Sequence, residues 1–305
     1  MDNRSEVRQF LATRRAKITP EQAGLPFYGG NRRVPGLRRE EVAMMAGVSA
    51  DYYTRLEKGN LTGVSDSVLH AVARALHLNE AEQAHLFDLA RTANTAPSRV
   101  PRRQAAPRIR PSVLRVLHSM TTTAAFVRNG RLDVLAINQL GRALYAPVFD
   151  DPVRPANMAR FNFLDPRSTD FYPDWDDAAD TSVALLHTEA GRDPYDRGLT
   201  ALVGELSTRS EAFRTRWAAH DVRLHRTGIK HFRHPAVGRL DLTFDAMEIP
   251  TDRGLTMTCY TAEPGTASEE NLKLLASWAA TMEQDATAPD RTSERHPAQQ
   301  GEPTR

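Results

Sequence analysis

The sequence lacks the features that mark secreted, membrane and catalytic proteins. It holds one cysteine, Cys259, so no intramolecular disulfide can form, which fits a reducing compartment. No apolar run reaches the ~18 residues of a membrane span, and the first residues hold no apolar signal core. A nucleophile elbow, a phosphate-binding glycine loop and a zincin helix motif are all missing. We therefore expect a cytoplasmic protein that is not an enzyme and has no catalytic residues.

Charge is nearly balanced overall but unevenly distributed. The 40 Lys and Arg residues and 38 Asp and Glu residues leave a net charge of +2. Arginines are concentrated at 32–39 and 99–110, whereas 165–180 is rich in aspartate. This asymmetry indicates that one part of the chain meets a polyanion and another part does not.

The pattern of apolar and turn-forming residues divides the chain into four segments. Residues 1–92 show helical apolar spacing and predict an all-α domain. Residues 93–110 are rich in proline and arginine and predict a linker. Residues 111–282 mix strand and helix patterns and predict an α+β domain. Residues 283–305 are polar and predict a disordered tail.

Four local signals define helix ends in the first segment. Ser49 and Ser65 precede apolar stripes as N-caps, and Asn79 with Glu82 has the spacing of a capping box. Gly59 lies where a helix should end and suits a left-handed cap.

Alternation in the third segment predicts strands. Residues 240–246 and 255–259 predict two paired strands, and 229–233 predict a further arm. Residues 124–127 and 131–137 flank Asn129-Gly130, which favours a hairpin with a type I′ turn. Helices are predicted at 139–145, 176–189, 195–206 and 211–220.

The most informative segment is 39–59, REEVAMMAGVSADYYTRLEKG, where two short amphipathic helices meet at Gly47. The second helix would keep a polar outer face, made of Ala50, Asp51, Tyr52, Thr54 and Arg55. A rigid helix with such a face fits the major groove of DNA. The alternative is a plain helical domain whose polar face only contacts water.

The elements EVA, GVS and LEKG of this segment resemble the Cro/repressor-like (xenobiotic-response-element) helix-turn-helix family. The resemblance implies a lambda-repressor-like domain and a double-stranded DNA operator as partner. It places Arg39 and Lys58 on the DNA backbone, although the family often has Gln at the position of Arg39. The residues that it turns towards DNA are Ser49, Ala50, Asp51, Tyr52, Thr54 and Arg55. Arg55 is the best candidate for reading guanine.

Three further arginines, Arg32, Arg33 and Arg38, are candidates for contacts with the DNA backbone. For Arg32 and Arg33 the alternative is a solvated loop.

The whole chain resembles the MmyB-like regulators of actinobacteria. The segments that carry this resemblance are VPGLRREEVA at 34–43, DYYTRLE at 51–57, RLDVLAIN at 131–138, LVGELS at 202–207, HDVR at 220–223, RHP at 233–235 and YTAEPG at 260–265. The resemblance implies a C-terminal PAS-like domain that binds a small hydrophobic ligand, a long-chain fatty acid. At Ile137 the family more often has Trp.

Large apolar residues of the third segment are candidates to line such a pocket. They are Phe126, Leu135, Ile137, Phe163, Trp217, Phe244 and Met257. A carboxylate ligand would need a basic partner, for which His220 and Arg223 are the candidates. The alternatives are that the apolar residues only fill the core and that the domain recruits a protein partner without binding a ligand.

The histidines predict no metal site. His220, His225, His231 and His234 match no regular zinc spacing, and Cys259 is distant along the chain. No cofactor is predicted beyond the fatty acid. We expect a homodimer, because paired recognition helices span two half-sites of an operator.

Overall fold

The computed structural model describes residues 3–25, 34, 36–94, 109–150, 152–222, 225–252 and 254–287. Within these ranges no helix is both long and apolar enough to cross a membrane. Arg32, Arg33 and Arg223, most of the predicted linker and the end of the predicted tail lie outside the described residues.

The N-terminal domain is all helical, as predicted. Its helices are α1 (Asn3–Lys17), α2 (Arg39–Ala46), α3 (Ala50–Glu57), α4 (Asp66–Ala75) and α5 (Glu80–Asn94). Apolar residues from α1, α3 and α5 converge in one core, in which Phe10, Tyr53 and Leu86 are fully buried. The apolar stripes of the sequence therefore become the inner faces of the helices.

The predicted helix ends are present. Ser65 Oγ accepts a hydrogen bond of 3.4 Å from Val68 N. Asn79 N donates to Glu82 Oε2 at 2.9 Å, and Glu82 N donates to Asn79 Oδ1 at 3.0 Å, which completes the capping box. Gly59 adopts a φ of 93°, as a left-handed helix end requires.

The C-terminal domain is built on a five-stranded antiparallel sheet, which confirms the α+β class and fits the expected PAS-like fold. Its strands are β1 (Ala124–Asn129), β2 (Val134–Ile137), β3 (Thr227–His234), β4 (Gly238–Glu248) and β5 (Leu255–Thr261). The spatial order is β2-β1-β5-β4-β3, so the first and last strands along the chain meet at the centre. Each predicted strand is present, with ends moved by a few residues.

The connection between β1 and β2 differs from the predicted type I′ turn. β1 continues through Asn129, and Leu132 rather than Gly130 takes a positive φ, of 66°. Asn129 Nδ2 donates to Asp133 Oδ2 at 2.8 Å, and Asp133 N donates to Asn129 Oδ1 at 3.0 Å. The prediction was wrong because the Asn129 side chain closes a longer loop instead of occupying a two-residue turn.

Helices surround the sheet. They are α6 (Pro111–Ser119), α7 (Gln139–Leu144), α8 (Ala146–Phe149), α9 (Met158–Leu164), α10 (Ser168–Phe171), α11 (Trp175–Arg192), α12 (Arg197–Arg209), α13 (Glu211–Ala218) and α14 (Ala267–Thr287). The four predicted helices correspond to α7, α11, α12 and α13.

Two helices extend past the predicted domain boundaries. α5 continues through Asn94, whose Oδ1 accepts a hydrogen bond of 2.7 Å from Gly63 N, so the predicted linker begins later than residue 93. α14 continues through Thr287, so it overlaps the start of the tail predicted at 283–305, whose disorder stays a prediction. Glu, Gln and Ala in that stretch are good helix formers that need no burial.

The sheet separates two apolar cores. One face carries a dense aromatic cluster that includes Phe126, Tyr145, Phe232 and Tyr260, and helices α7 to α14 supply the rest of this core. The other face carries a smaller cluster with Val127, Met257 and Leu117 of α6.

The two domains are docked through buried contacts. Val222, which follows α13, lies in the core of the N-terminal domain. Thr92 Oγ1 of α5 donates to the carbonyl of Gly191 in α11 at 3.0 Å. Arg14 of α1 lies 3.0 Å from Asp221 Oδ1 and also donates to the carbonyl of His220. Helices α1 and α5 therefore contact both the DNA-binding elements and the C-terminal domain.

Candidate DNA-binding helix and sensor cavity

Helices α2 and α3 form the predicted helix-turn-helix. Gly47 between them has a φ of 67°, in the left-handed region, which a side chain would make unfavourable. Val48 N donates to the carbonyl of Ala43 at 3.0 Å, which closes the turn. Ser49 Oγ accepts a hydrogen bond of 3.1 Å from Tyr52 N and starts α3. The local chemistry thus holds α3 at a fixed angle to α2.

The residues predicted to face DNA differ in exposure. Arg38, Arg39, Ser49, Asp51, Arg55 and Lys58 are exposed. Ala50, Tyr52 and Thr54 are half-buried, and the first two pack against the domain core. The Arg55 guanidinium lies 5.8 Å from the centroid of the Tyr52 ring, a cation–π distance. The long Arg55 side chain, which the Tyr52 ring supports, can therefore extend towards DNA, whereas the short Ala50 side chain stays close to the helix.

A buried carboxylate organises the start of α2. Glu57, 2% exposed, lies at the end of α3 and contacts two arginines. Arg15 Nε is 2.8 Å from Glu57 Oε2, and Arg39 Nη2 is 2.9 Å from Glu57 Oε1. Burial opposes ionisation of Glu57, but hydrogen bonds from Arg15 and Arg39 lower its pKa below the ordinary value. Sequence analysis missed Arg15 and Glu57, which hold Arg39 in place.

The aromatic core of the C-terminal domain contains a sensor cavity between the sheet and α11. It holds about 40 Å³ of free space, room for little more than a water molecule. Its walls include Phe126, Arg128, Leu132, Tyr145, Met158, Tyr172, Leu185, His225, Lys230 and Tyr260. Tyr172, Thr181, His225 and Lys230 also line a cleft beside β3, so the sensor cavity shares a wall with a cleft at the surface.

Two cations lie in this largely apolar cavity. Arg128, 7% exposed, donates to the carbonyl of Asn129 at 3.3 Å. Lys230 Nζ lies 4.4 Å from the centroid of the Tyr172 ring. Burial lowers the pKa of Arg128 to about 10 and that of Lys230 to about 8. Within the described residues, neither cation has a carboxylate at salt-bridge distance.

Arg128 and Lys230 were not predicted to line a pocket, although strand alternation contains the signal. Arg128 lies two residues after Phe126 in β1, and Lys230 lies two residues before Phe232 in β3. Because successive side chains of a strand point to opposite faces, each cation shares the inner face with its aromatic neighbour.

The predicted ligand residues do not line one pocket. Phe126 lines the sensor cavity, and Phe244 lines the cleft that leads to it. Leu135 and Met257 lie on the opposite face of the sheet, in the core with α6. Ile137 lines a separate groove beside α14. Alternation along strands sends these side chains to different faces, which residue size alone could not show.

Three other candidates lie elsewhere. Phe163 and Trp217 pack around Phe213, with ring centroids 5.1 and 5.5 Å from it, and belong to the helical layer. His220 faces the N-terminal domain, and its ring lies beside Glu6 of α1. These aromatic residues fill the core, as the alternative reading of the sequence expected, and His220 is not a wall of the sensor cavity.

The four clustered histidines of the sequence have separate partners. His225 stacks on Phe244 at 4.1 Å, His231 Nδ1 lies 2.6 Å from Asp241 Oδ1, and His234 Nε2 lies 3.0 Å from the carbonyl of Ala143. Only His220 among them lies beside a buried carboxylate, that of Glu6.

Comparison with known families decides the class of the protein. The model for the MmyB-like transcription regulator ligand binding domain matches residues 109–275, more than half of the chain. The chain belongs to the MmyB-like family. A helix-turn-helix domain model matches residues 7–86 of this MmyB-like protein. No curated protein matches it. The protein is therefore a DNA-binding transcriptional regulator with a ligand-binding domain.

Proposed function

We propose that this MmyB-like regulator binds a long-chain fatty acid in the sensor cavity, and that the ligand controls binding of a DNA operator by α3. The carrying observation is that the buried Arg128 and the half-buried Lys230 line one aromatic cavity, and that neither has a carboxylate at salt-bridge distance in the described part of the chain. An ionised carboxylate between the two side chains would accept charge-assisted hydrogen bonds from both.

The alkyl chain of the ligand would lie on the apolar side of the same cavity. Phe126, Met158 and Leu185 line that side. The free space between the aromatic rings is narrow, so side chains rotate as the chain enters, and the unbranched Met158 side chain adapts most readily.

The sensor cavity also adjoins the DNA-binding domain. Arg128 and His225 line a second cleft, whose other walls include Ala84 and Asp88 of α5. A ligand that moves Arg128 or His225 would therefore change the surface against which α5 packs. A ligand shifts a conformational equilibrium only if it binds the two conformations with different affinities. The cleft lined by Arg128, His225 and α5 is the proposed route by which ligand binding affects α3.

The regulator would act as a homodimer, with two copies of α3 on half-sites about one helical turn of DNA apart. Exposed Leu274 and Trp278 on α14, 62% and 45% exposed, are the apolar surface that would support such a dimer. Native mass spectrometry of the full chain tests this directly. A monomer under conditions where the protein binds its operator would contradict the paired mechanism.

Calorimetric titration of the delipidated full chain with palmitate tests the ligand site. We expect saturable binding that the substitution Arg128→Met weakens at least tenfold, about 1.4 kcal/mol. Arg209→Met is the matched control, because Arg209 is 59% exposed and pairs with Glu205 on α12. Hexadecanol, which has no carboxylate, should bind the unaltered protein and Arg128→Met equally.

Two outcomes would count against the ligand proposal. Equal palmitate affinity in the unaltered protein and in Arg128→Met would remove the carboxylate site. Absence of any saturable palmitate binding would favour the other function, a C-terminal domain that recruits a protein partner.

The DNA-binding face is tested on an operator selected from random DNA. Arg55→Ala should weaken operator binding by about 1–3 kcal/mol and relax the preference at one base pair, whereas Arg39→Ala should weaken all sequences alike. Arg214→Ala, on exposed α13, is the control and should change neither. Equal losses on operator and random DNA for Arg55→Ala would remove its base-reading role.

A further inference from the structure

Three buried residues from distant parts of the chain meet where the two domains contact each other. Glu6 of α1, His187 of α11 and His220, after α13, are 3%, 1% and 4% exposed. Each offers one ligand atom, and these atoms all lie within 4.8 Å of one another. Glu6 Oε1 lies 3.1 Å from His187 Nδ1 and 3.7 Å from His220 Nε2. Donors on a tetrahedral zinc ion are about 3.3 Å apart, so little movement would be needed.

The outer hydrogen bonds of both imidazoles fix where their lone pairs point. His187 Nε2 lies 3.0 Å from the carbonyl oxygen of Trp217, and His220 Nδ1 lies 3.3 Å from that of Ala218. A carbonyl oxygen only accepts, so each of these nitrogens carries the ring N–H, and a neutral imidazole has only one. In that neutral tautomer His187 Nδ1 and His220 Nε2 direct lone pairs at Glu6, whereas a protonated ring would donate to Glu6, which the 3.1 Å distance from His187 Nδ1 also allows. Metal-binding histidines use this same outer hydrogen bond to a carbonyl.

Two lone pairs and a carboxylate therefore converge in a buried space. Acceptors facing one another away from water are unfavourable unless a cation lies between them. His220 Nε2 has no hydrogen-bond partner among the described residues.

His85 of α5 supplies a fourth imidazole beside these three residues. It is 2% exposed, and neither ring nitrogen has a hydrogen-bond partner in the described part of the chain. Its Nε2 lies 4.0 Å from Glu6 Oε1. Gly191 makes room for this ring, because a Cβ there would lie 2.7 Å from His85 Cε1. A buried imidazole without a hydrogen-bond partner is uncommon and is available to bind a metal ion.

The backbone holds His220 in an unusual conformation. Its φ of 53° lies in the left-handed region, which is uncommon for a residue with a side chain. The Arg14 guanidinium donates a hydrogen bond to the His220 carbonyl and contacts Asp221. Helix α1, which also carries Glu6, therefore holds the turn at His220 in place. Backbone strain of this kind is found where a side chain must be presented in one direction.

We propose that Glu6, His187 and His220 bind one Zn²⁺ per chain, and that His85 moves towards the ion to become the fourth donor. Imidazole nitrogen and carboxylate oxygen are ligands that zinc accepts at a tetrahedral site. Glu6 and His85 belong to the DNA-binding domain, and His187 and His220 belong to the sensor domain. Zinc occupancy would therefore control how firmly α1 and α5 are held on the sensor domain, independently of any fatty acid.

Zinc titration of the tag-free full chain, dialysed against a chelator, tests this site. We expect one Zn²⁺ per chain by calorimetry and by metal analysis, and a higher thermal unfolding midpoint with zinc. Glu6→Gln and His220→Asn should each weaken binding by about 100-fold or more. His231→Asn is the matched control: His231 also contacts a carboxylate, Asp241 at 2.6 Å, but lies in β3 away from the domain contact.

The absorption spectrum of bound Co²⁺ tests the site without any substitution. Co²⁺ in the unaltered protein should give the visible spectrum of tetrahedral nitrogen and oxygen ligands, without a thiolate band from Cys259. The zinc proposal is wrong if the unaltered protein binds no Zn²⁺ saturably, since the cluster then shares only protons. Unchanged zinc affinity in a folded Glu6→Gln, His220→Asn double variant also overturns it. If both variants fail to fold, the stoichiometry and the cobalt spectrum decide. Palmitate titration of zinc-free protein separates this result from the fatty acid proposal.

Discussion

The two domains treat buried charge in opposite ways. In the DNA-binding domain the buried carboxylate of Glu57 contacts two arginines, Arg15 and Arg39. In the sensor domain the buried Arg128 and the half-buried Lys230 have no carboxylate at salt-bridge distance among the residues described, and Arg128 interacts with the half-buried Glu189 only at longer range. One arrangement holds its cations in direct contact with a carboxylate, and the other does not.

This difference matches what each domain has to do. A completed ion pair holds Arg39 and the start of α2 in one position before DNA arrives, so the contact surface is already formed. Uncompensated buried cations cost stability, and an anionic ligand that pairs with them recovers it. The DNA-binding domain therefore uses charge for rigidity, and we infer that the sensor domain uses it to bind its ligand.

The largest expected effect comes from breaking the completed cluster. Glu57→Gln should lower the free energy of unfolding by about 3 kcal/mol, because the largely buried Arg15 would lose its counter-charge and the exposed Arg39 would lose its partner. Urea unfolding, followed by circular dichroism, measures the change. Glu205→Gln is the control: Glu205 also contacts two arginines, Arg160 and Arg209, but is 28% exposed. Its loss should cost under about 1 kcal/mol. Equal costs would show that burial does not distinguish the clusters.

The DNA-binding domain was largely predictable because its determinants are local. Gly47, Ser49 and Gly59 each specify the backbone within a few residues of themselves, and their spacing fixes the turn and both ends of α3. What the sequence did not reveal is Glu57, because its role depends on Arg15, from a helix that lies far back along the chain.

The sensor domain shows what sequence patterns could not predict. Its strands were predictable from alternation, but its sites join residues that no local pattern connects. Phe163 and Trp217 have the size and apolarity of pocket walls yet pack on Phe213. Glu6 and His187 meet only because α1 packs against α11. Contacts between elements, rather than residue type, decide which large or titratable side chains share a site.

The second prediction uses pH to separate the two kinds of charge. Burial lowers the pKa of Lys230 to about 8, below the ordinary 10.5. The unfolded chain therefore binds more protons between these values, so the free energy of unfolding should rise with pH in this window. We expect a gain of about 1.5 kcal/mol from about pH 7 to about pH 9.5, less than the full shift because Lys230 borders the open cleft.

Urea unfolding at the two pH values tests this, and Lys230→Met should flatten the rise. Lys273→Met, on α14 with a side chain 69% exposed, is the control and should preserve it. Arg128 and His225 face the same cavity: Arg128, with a pKa of about 10, adds to the rise only near the top of this window, and His225, at about 3, titrates far below it. The same pH slope in Lys230→Met and in the unaltered protein would show that this cation is not the cause. In contrast, the Glu57 pKa is lowered, so its contribution is lost only as the pH falls below the ordinary glutamate range.

The smallest expected effect is the loss of a serine N-cap, which can be compared between the two domains. Ser49 Oγ accepts from Tyr52 N at 3.1 Å on an exposed helix start, whereas Ser210 Oγ accepts from Phe213 N at 3.2 Å and Ser210 is only 9% exposed. Ser210→Ala should cost about 1 kcal/mol, because the Phe213 N–H loses its partner away from water. Ser49→Ala should cost about 0.3 kcal/mol, since water can replace the lost acceptor. If urea unfolding gave equal costs for Ser210→Ala and Ser49→Ala, the difference between the two domains would not extend to neutral hydrogen bonds. It would then be confined to the charged groups.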